Sequence, residues 1–356
     1  MLRHRFSAAR VAAILLCAYG IPRSTVAQSA CAPHGGTQYI CGVNSVEDLI
    51  RIEGTNWVLA SELGPRAGTG GFYLIDVRSR SFHEAAPDFS GAADPIFSKC
   101  PGPPDPKRFA AHGIAIRFRQ GTVHQAYAVN HGGRESIEVF DLDVRGPEPK
   151  LVWRGCAMTP ERASANSVTP LPNHGFAITS FGVRTDKLSM DKISAGQPSG
   201  FVTEWSPASG WAEVLGTEFS GDNGIVASAD GTTLFIAGWG DRTLHIVSRG
   251  KVPPTHRAVL LPGFHPDNIR NGPDGSLLIA GQAADPKAIL GCISAPSCTV
   301  DSKVVKFDPK TLGIETLVEE PGNPDFGGTA GAIIVGDELW LGPFRGNRIA
   351  RVKLKR

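Results

Sequence analysis

A polar or small residue followed at once by a short apolar run recurs along this sequence, near Glu47, His112, Asn166, Asn223, Asn268 and Thr329, at intervals of roughly 45–65 residues. The clearest copy is Ser220–Val247, S-G-D-N-G-I-V-A-S-A-D-G-T-T-L-F-I-A-G-W-G-D-R-T-L-H-I-V. Ile225–Ala227 is one strand, Ala229-Asp230-Gly231 a tight turn, Leu234–Ala237 a second strand, and Thr243–Val247 a third strand of alternating character. Three short antiparallel strands after one polar residue make a propeller blade. The other copies share this grammar, as in Val46–Ile50, Trp57–Ala60 and Gly71–Val77, or in His112–Ile116, Ala126–Asn130 and Ser136–Leu142. No strong helical period lies between them. The expected fold is therefore all-β, a six-bladed β-propeller with a central channel, over residues 43–356. A β-sandwich is the alternative, and it leaves the recurring start unexplained.

Three segments interrupt the pattern: Asp88–Phe109, Arg184–Pro198 and Ala283–Ser302. Loops of this length are often lids, so they are expected to shape substrate access.

The first 27 residues read as a signal peptide. Arg3, Arg5 and Arg10 form a basic start, Val11–Ile21 is apolar but too short to span a bilayer, and Thr25-Val26-Ala27 supplies a cleavage site. No transmembrane or lipid anchor is expected, and the destination is periplasmic or extracellular. Residues 28–42, bounded by cysteines and without helical period, are expected to form an N-terminal arm packed on the propeller. Removing the signal takes away four arginines and no acid, so the formal net charge falls from +2 to −2. That balance, with no basic run interleaved with aromatics, argues against nucleic acid as a partner. Six cysteines remain after cleavage, an even count that suits disulfides in an exported chain. Proximity pairs Cys31 with Cys41 and Cys292 with Cys298, leaving Cys100 with Cys156, one among many connectivities open to six cysteines.

In a propeller the first strand of each blade lines the channel, so residues at equivalent strand starts converge on one mouth. Here Glu47, Asn166, Asn223, Asp267 and Asn268 bring hard oxygen donors to that mouth, with His112 and Thr329 completing the ring. Hard oxygens suit Ca²⁺, and two carboxylates balance its charge. Asn and Asp also cap turns, and for any single position that is the ordinary role. Their recurrence at equivalent positions points to a metal. His112 opens the second unit and His131 follows that unit's second strand, a pair able to serve as general base for a water. The remaining histidines read as surface or structural, except His265, which is expected to line the same mouth. There is no G-x-S-x-G elbow, H-E-x-x-H, phosphate-binding loop or EF-hand.

These motifs resemble the paraoxonase family, a branch of the wider gluconolactonase and strictosidine-synthase-like six-bladed propellers. The resemblance is carried by His112-Gly113-Ile114, Val129-Asn130-His131 with Ser136–Phe140, Asn223-Gly224-Ile225 with Asp230-Gly231, Asp267-Asn268-Ile269 and the closing Gly328–Leu354. It implies calcium-dependent hydrolysis of lactones, aryl esters or organophosphates, with Glu47, Asn166, Asn223, Asp267 and Asn268 as catalytic calcium ligands and His112 with His131 as the dyad. It also implies a second, buried calcium on Asp48, the backbone of Ile114, and an aspartate replaced here by Ser167. Two further departures are Gly281-Gln282-Ala283, where the family has a channel histidine, and the absence of any cysteine after Cys298 for an inter-terminal disulfide. The leading expectation is a secreted Ca²⁺-dependent hydrolase acting on a small-molecule ester or lactone. The alternatives are a gluconolactonase-type sugar-lactone hydrolase without the histidine dyad, and a non-catalytic propeller used as a binding module.

Overall fold

The computed structural model describes residues 31–64, 70–295 and 297–354. The expected signal peptide lies outside these residues.

The chain forms six four-stranded antiparallel sheets. Strand β1 (Gln38–Cys41) comes first. The first blade follows as β2 (Val46–Arg51), β3 (Trp57–Glu62), β4 (Phe72–Asp76) and β5 (Phe82–Glu84). The second is β6 (Ala111–Arg117), β7 (Val123–Asn130), β8 (Ser136–Asp143) and β9 (Lys150–Met158), and the third β10 (Ala163–Pro170), β11 (Phe176–Val183), β12 (Phe201–Ser206) and β13 (Gly210–Glu213). The fourth is β14 (Asp222–Ala227), β15 (Thr233–Gly238), β16 (Thr243–Ser248) and β17 (His256–Leu260), and the fifth β18 (His265–Asn271), β19 (Leu277–Ala283), β20 (Asp301–Phe307) and β21 (Ile314–Glu320). The last blade is β22 (Thr329–Val335), β23 (Glu338–Pro343) and β24 (Arg348–Lys353), completed by β1. Inner strands β2, β6, β10, β14, β18 and β22 each touch the next, and β22 touches β2, so they close a ring around the channel.

Each blade thus has one strand more than the sequence pattern suggests. The added strands lie on the outer edge. Strand β17 is mostly exposed along its length, as is most of β21, so neither carries the apolar run that marks a buried strand. Part of the segment expected as an arm is also blade. Gln38–Cys41 pairs antiparallel with Arg348–Arg351, so one sheet holds strands from both ends of the propeller and closes the ring. Three of its four residues are buried, and the Cys31–Cys41 disulfide ties the preceding residues to it.

The turns form where the sequence places them. At Ser228–Gly231, the Asp230 carboxylate accepts from the Thr232 amide and the Ser228 hydroxyl, while Gly231 takes φ +69°, a backbone angle that favours glycine. The core fills the wedges between blades. Leu59, Leu74, Phe140 and Trp153 pack between the first two, and Leu49, Ile75, Ile333 and Trp340 between the last and the first.

The disulfides are Cys31–Cys41, Cys100–Cys156 and Cys292–Cys298. Three bridges fit an extracellular or periplasmic protein, and among the described residues no helix is long and apolar enough to cross a membrane. Of the three long insertions, the blade-five one lines the channel mouth and the blade-three one packs against it. Helix α1 (Ser189–Ser194) lies in the blade-three insertion and α2 (Pro286–Gly291) in the blade-five insertion; Ile193 and Ile289 pack together with Trp239. The Asp88–Phe109 segment runs elsewhere. Asp88 bridges to Val152, Cys100 bonds Cys156, and Phe97 stacks on Trp205 at 5.1 Å. It braces the outer parts of the second and third blades.

Candidate functional site

The residues at the strand starts sit in a repeated backbone device. In every blade, the pairing of the innermost strand with its neighbour slips in register near its start: between Val46 and Asp48, Ala111 and Ile114, Ala165 and Val168, Asp222 and Ile225, Pro266 and Ile269, and Thr329 and Gly331. Glu47, His112, Asn166, Asn223, Asp267 and Asn268 all lie inside these slips. A bulge breaks the strict alternation of a strand and re-aims the side chain it carries. That is how the consecutive residues Asp267 and Asn268 both contribute to one cluster.

Glycines let the inner strands come close. A Cβ on Gly224 would lie 2.4 Å from the Asp267 carbonyl oxygen, and one on Gly113 2.3 Å from that of Asn166. The glycine directly after His112 and after Asn223 is what admits the backbone of the next blade.

Glu47, His112, Asn166, Asn223 and Asp267 line one cavity of about 120 Å³ at the mouth. Asn268 is joined to it by its amide, which donates to Glu47 Oε1 at 2.9 Å and to the Glu47 carbonyl at 3.1 Å. Five buried side-chain oxygens here, Glu47 Oε2, Asn166 Oδ1, Asn223 Oδ1, Asp267 Oδ1 and Asn268 Oδ1, have no hydrogen-bond partner. One such buried, unpaired polar atom costs about 1–3 kcal/mol, and native interiors contain few. These are the atoms a hard cation takes as ligands, and the donor set of two carboxylates and three amides fits Ca²⁺. Among the described residues no group of three His, Cys, Asp or Glu side chains is placed to hold a metal ion, and the donors here are two carboxylates supplemented by amide oxygens.

The two carboxylates are shifted in opposite directions. Burial, and then the charge of Glu47, push the Asp267 carboxyl well above its ordinary range. Burial also works against the Glu47 carboxylate, but the facing His112 and the Asn268 amide outweigh it and hold Glu47 below its ordinary value. A divalent ion between the two would favour the ionised form of both.

Gln282 anchors the cluster and was legible in the sequence only as the residue standing where the family has a histidine. Its amide donates to Asp267 Oδ2 at 2.7 Å and to the Thr329 carbonyl at 2.9 Å, while its own oxygen accepts from Trp239 Nε1 at 2.9 Å. One free oxygen of Asp267 is thereby left facing the cavity.

His112 and His131 are in hydrogen-bond contact, and a third residue joins them. His112 Nδ1 lies 3.0 Å from His131 Nε2, and His131 Nδ1 lies 2.9 Å from Glu135 Oε2. Carboxylates accept, so His131 donates from Nδ1. Its Nε2 then accepts from His112 Nδ1, which turns the His112 Nε2 to the cavity side, 3.5 Å from Glu47 Oε1; against the effect of burial, that carboxylate raises the His112 pKa and favours a proton on Nε2. Glu135 therefore sets the tautomer of both rings. Its position, four residues after His131, follows from the turn into β8 and carries no sequence signal of its own.

The other histidines fall outside this cluster. His245 is buried, stacked on Phe219 at 3.6 Å, and bonded to Asp241 and His256. His265 does not line the donor cavity: its Nδ1 is 2.7 Å from the Trp239 carbonyl, and it borders a separate cavity of about 690 Å³ beside Asp241 and Asp285.

Two of the three positions expected to hold a second ion are occupied otherwise. Asp48 Oδ2 accepts from the Ile114 amide at 2.9 Å and is ion-paired with Arg270. The Ile114 carbonyl accepts from Arg270 Nη2 at 3.0 Å. Ser167 Oγ is buried without a partner.

Above the polar floor the wall is apolar: Leu63, Phe181, Trp239, Ile289, Leu290, Ile293 and Phe344. The insertion in blade five supplies Ile289, Leu290 and Ile293, and the Cys292–Cys298 disulfide closes that loop.

No protein-family model and no curated protein sequence matches the chain. Solved structures do match it. A structural-genomics protein assigned to the gluconolactonases aligns at 14% identity over 90% of this chain and 93% of its own, with a TM-score of 0.53. A gluconolactonase from Xanthomonas campestris aligns at 14% identity over 90% and 91%, with a TM-score of 0.51. A luciferin-regenerating enzyme aligns at 11% identity over 88% and 92%, also with a TM-score of 0.51. At these identities the likeness is one of architecture: the chain has the six-bladed propeller fold shared by the gluconolactonase-like structures.

Proposed function

We propose that this chain is an exported, calcium-dependent hydrolase of lipophilic lactones or aryl esters, working at the channel mouth. The observation that carries the reading is the ring of five buried, unpaired oxygens on Glu47, Asn166, Asn223, Asp267 and Asn268. These residues would hold the ion, which when bound supplies a Lewis acid for the substrate's carbonyl oxygen.

The chain's own residues supply the rest. Glu47 favours a proton on His112 Nε2, and a cation on Glu47 would offset that effect and free Nε2 to take a proton from the attacking water, while the His131–Glu135 pair orients the ring by holding His112 Nδ1–H in a hydrogen bond. Gln282 holds Asp267 in place through one oxygen. Phe181, Trp239, Ile289 and Phe344 form a dry wall that accepts an alkyl or aryl group and keeps bulk water from the reacting carbonyl.

The same wall separates the two hydrolase readings. A sugar lactone presents hydroxyls on most of its carbons, and burying them against this wall without partners is unfavourable. The wall therefore supports an alkyl or aryl substrate over a sugar lactone. The N-terminal signal read from the sequence, with the three disulfides, supports export.

The test is hydrolysis of an aliphatic lactone, gluconolactone, phenyl acetate and an aryl phosphotriester, each with calcium and with chelator. Chelator-sensitive turnover of the aliphatic lactone or phenyl acetate, above that of gluconolactone, is expected. Preference for gluconolactone would replace this reading with the sugar-lactone one. Absence of any turnover by calcium-loaded protein would leave a binding module.

A further inference from the structure

Beneath the mouth, inside the channel, lies a buried arginine. Arg270 is 8% exposed and follows the ligand pair Asp267-Asn268 on β18. Its guanidinium crosses the channel. Nε donates to the Leu49 carbonyl on β2 at 3.2 Å, Nη2 to the Ile114 carbonyl on β6 at 3.0 Å, and Nη1 to the Ile269 carbonyl on its own strand at 2.9 Å, while Nη2 also pairs with Asp48. The fifth blade is thus tied to the first and second through backbone oxygens and one buried carboxylate.

This is the bonding pattern of a hard cation, made by a side chain. Carbonyl oxygens and a carboxylate converge on one positive charge, as they do around calcium, but here the charge is delocalised over a fork of five N–H donors. Asp48 and the Ile114 carbonyl are two of the donors that the family resemblance assigns to a second, buried calcium, and both are already engaged. The third position has lost its charge: Ser167 stands where the resemblance calls for an aspartate, and its hydroxyl bonds nothing. A buried carboxylate needs one compensating charge, and adding a divalent ion beside a guanidinium, with one carboxylate fewer, would leave net positive charge in the interior.

We infer that Arg270 takes the place of the second cation, as a permanent charge that joins the inner strands of the first, second and fifth blades, so that the fold is held without an ion below the mouth. The two changes are complementary. An arginine needs no second carboxylate, and position 167 supplies none. The inference concerns the fold and the number of ions bound, and it holds whatever substrate the mouth accepts.

The experiment counts bound calcium and follows unfolding. The purified protein, loaded with calcium and passed into metal-free buffer, is expected to retain no more than one ion per chain by elemental analysis. It is expected to stay folded in chelator, with a cooperative thermal transition. Arg270→Ala is expected to melt at a lower temperature. The double variant Arg270→Ala with Ser167→Asp restores the missing carboxylate and is expected to bind one ion more than the wild type, with a melting temperature that rises on adding calcium. A wild-type protein holding a second ion, or one that unfolds in chelator, would overturn the inference, as would a folded double variant that gains no ion. If the variants do not fold, the wild-type ion count and chelator melt decide alone. Both readouts are separate from turnover, so an inactive but chelator-resistant protein would fail the hydrolase reading while leaving this one intact.

Discussion

His131 Nδ1 stands 2.9 Å from Glu135 Oε2, and this contact fixes which nitrogen of His112 can accept a proton at the channel mouth. Burial would raise the Glu135 carboxyl, but His131 beside it outweighs that and keeps the group below its ordinary value, so it is an acceptor at neutral pH. Glu135→Gln keeps the shape and removes the charge. It also lets the amide donate, which favours the wrong tautomer of His131. A positioned general base is worth about 10²–10⁴-fold in rate, so a misplaced one should lower kcat by at least about tenfold, with KM and calcium affinity little changed. His112→Gln should cost more. Steady-state kinetics beside a calcium titration reads both. Unchanged kcat in Glu135→Gln, with activity lost in His112→Gln, would mean that His112 works without the relay.

Gln282 holds Asp267 through one oxygen and is itself held by Trp239. Residues that orient a ligand without touching the metal typically contribute about 10–100-fold to affinity. Gln282→Leu removes the donor and leaves Asp267 Oδ2 unpaired in a buried setting. The expected result is calcium affinity lower by at least about tenfold, with activity recovered at high calcium. Trp239→Phe, which frees Gln282 while keeping an aromatic wall, should show a smaller loss in the same direction. Equal calcium affinity in wild type and Gln282→Leu would remove Gln282 from the site.

The ring of donors was legible because its logic is written in the repeat: the same place in successive units carries a polar side chain, and units of one build close into one ring. What the sequence could not show is how the donors are aimed. The bulge that holds each one is a slip between two strands and leaves no residue signature beyond the glycine after His112 and Asn223. The outer strands were hidden for another reason, since edge strands such as His256–Leu260 are mostly exposed and lack the buried run that marks a strand. Glu135 was hidden because its partner is set by a turn, and Arg270 because a charged residue in an inner strand reads as solvated until the strands that face it are known.

Gly224 tests the close approach of the fourth and fifth blades. A Cβ there would stand 2.4 Å from the Asp267 carbonyl oxygen, 2.7 Å from the Ile269 amide nitrogen and 2.9 Å from the Asn268 Cα. All three are backbone atoms, which cannot swing aside as a side chain would. Gly224→Ala should therefore push the two inner strands apart, destabilise the fold by about 1–3 kcal/mol, and weaken calcium binding because Asn223 and Asp267 separate. Thermal unfolding and a calcium titration of the one variant check both effects. Lost stability with intact affinity would show that the strain is absorbed away from the ligands.

The last blade supplies a prediction in pH. Glu338 accepts from Arg351 at 2.9 Å and 2.6 Å and from Trp340 Nε1 at 3.0 Å. The Arg351 hydrogen bonds hold its carboxyl below the ordinary value of 4.5, against the opposing effect of burial. The ionised form is therefore favoured in the folded chain. Its stabilisation is present above the ordinary carboxylate range and is lost as the pH falls through the depressed folded value. Glu338→Gln keeps the volume but loses the charge-assisted bonds, so at pH 7 it should cost about 2 kcal/mol. Wild type and variant should converge as the pH falls below 4.5 and through the depressed folded value, where the wild-type carboxyl also becomes neutral. Melting temperatures of both proteins across that range measure the gap. A gap that stays constant down to the acid limit would mean that Arg351 is held by the shape of the site and gains nothing from the carboxylate's charge.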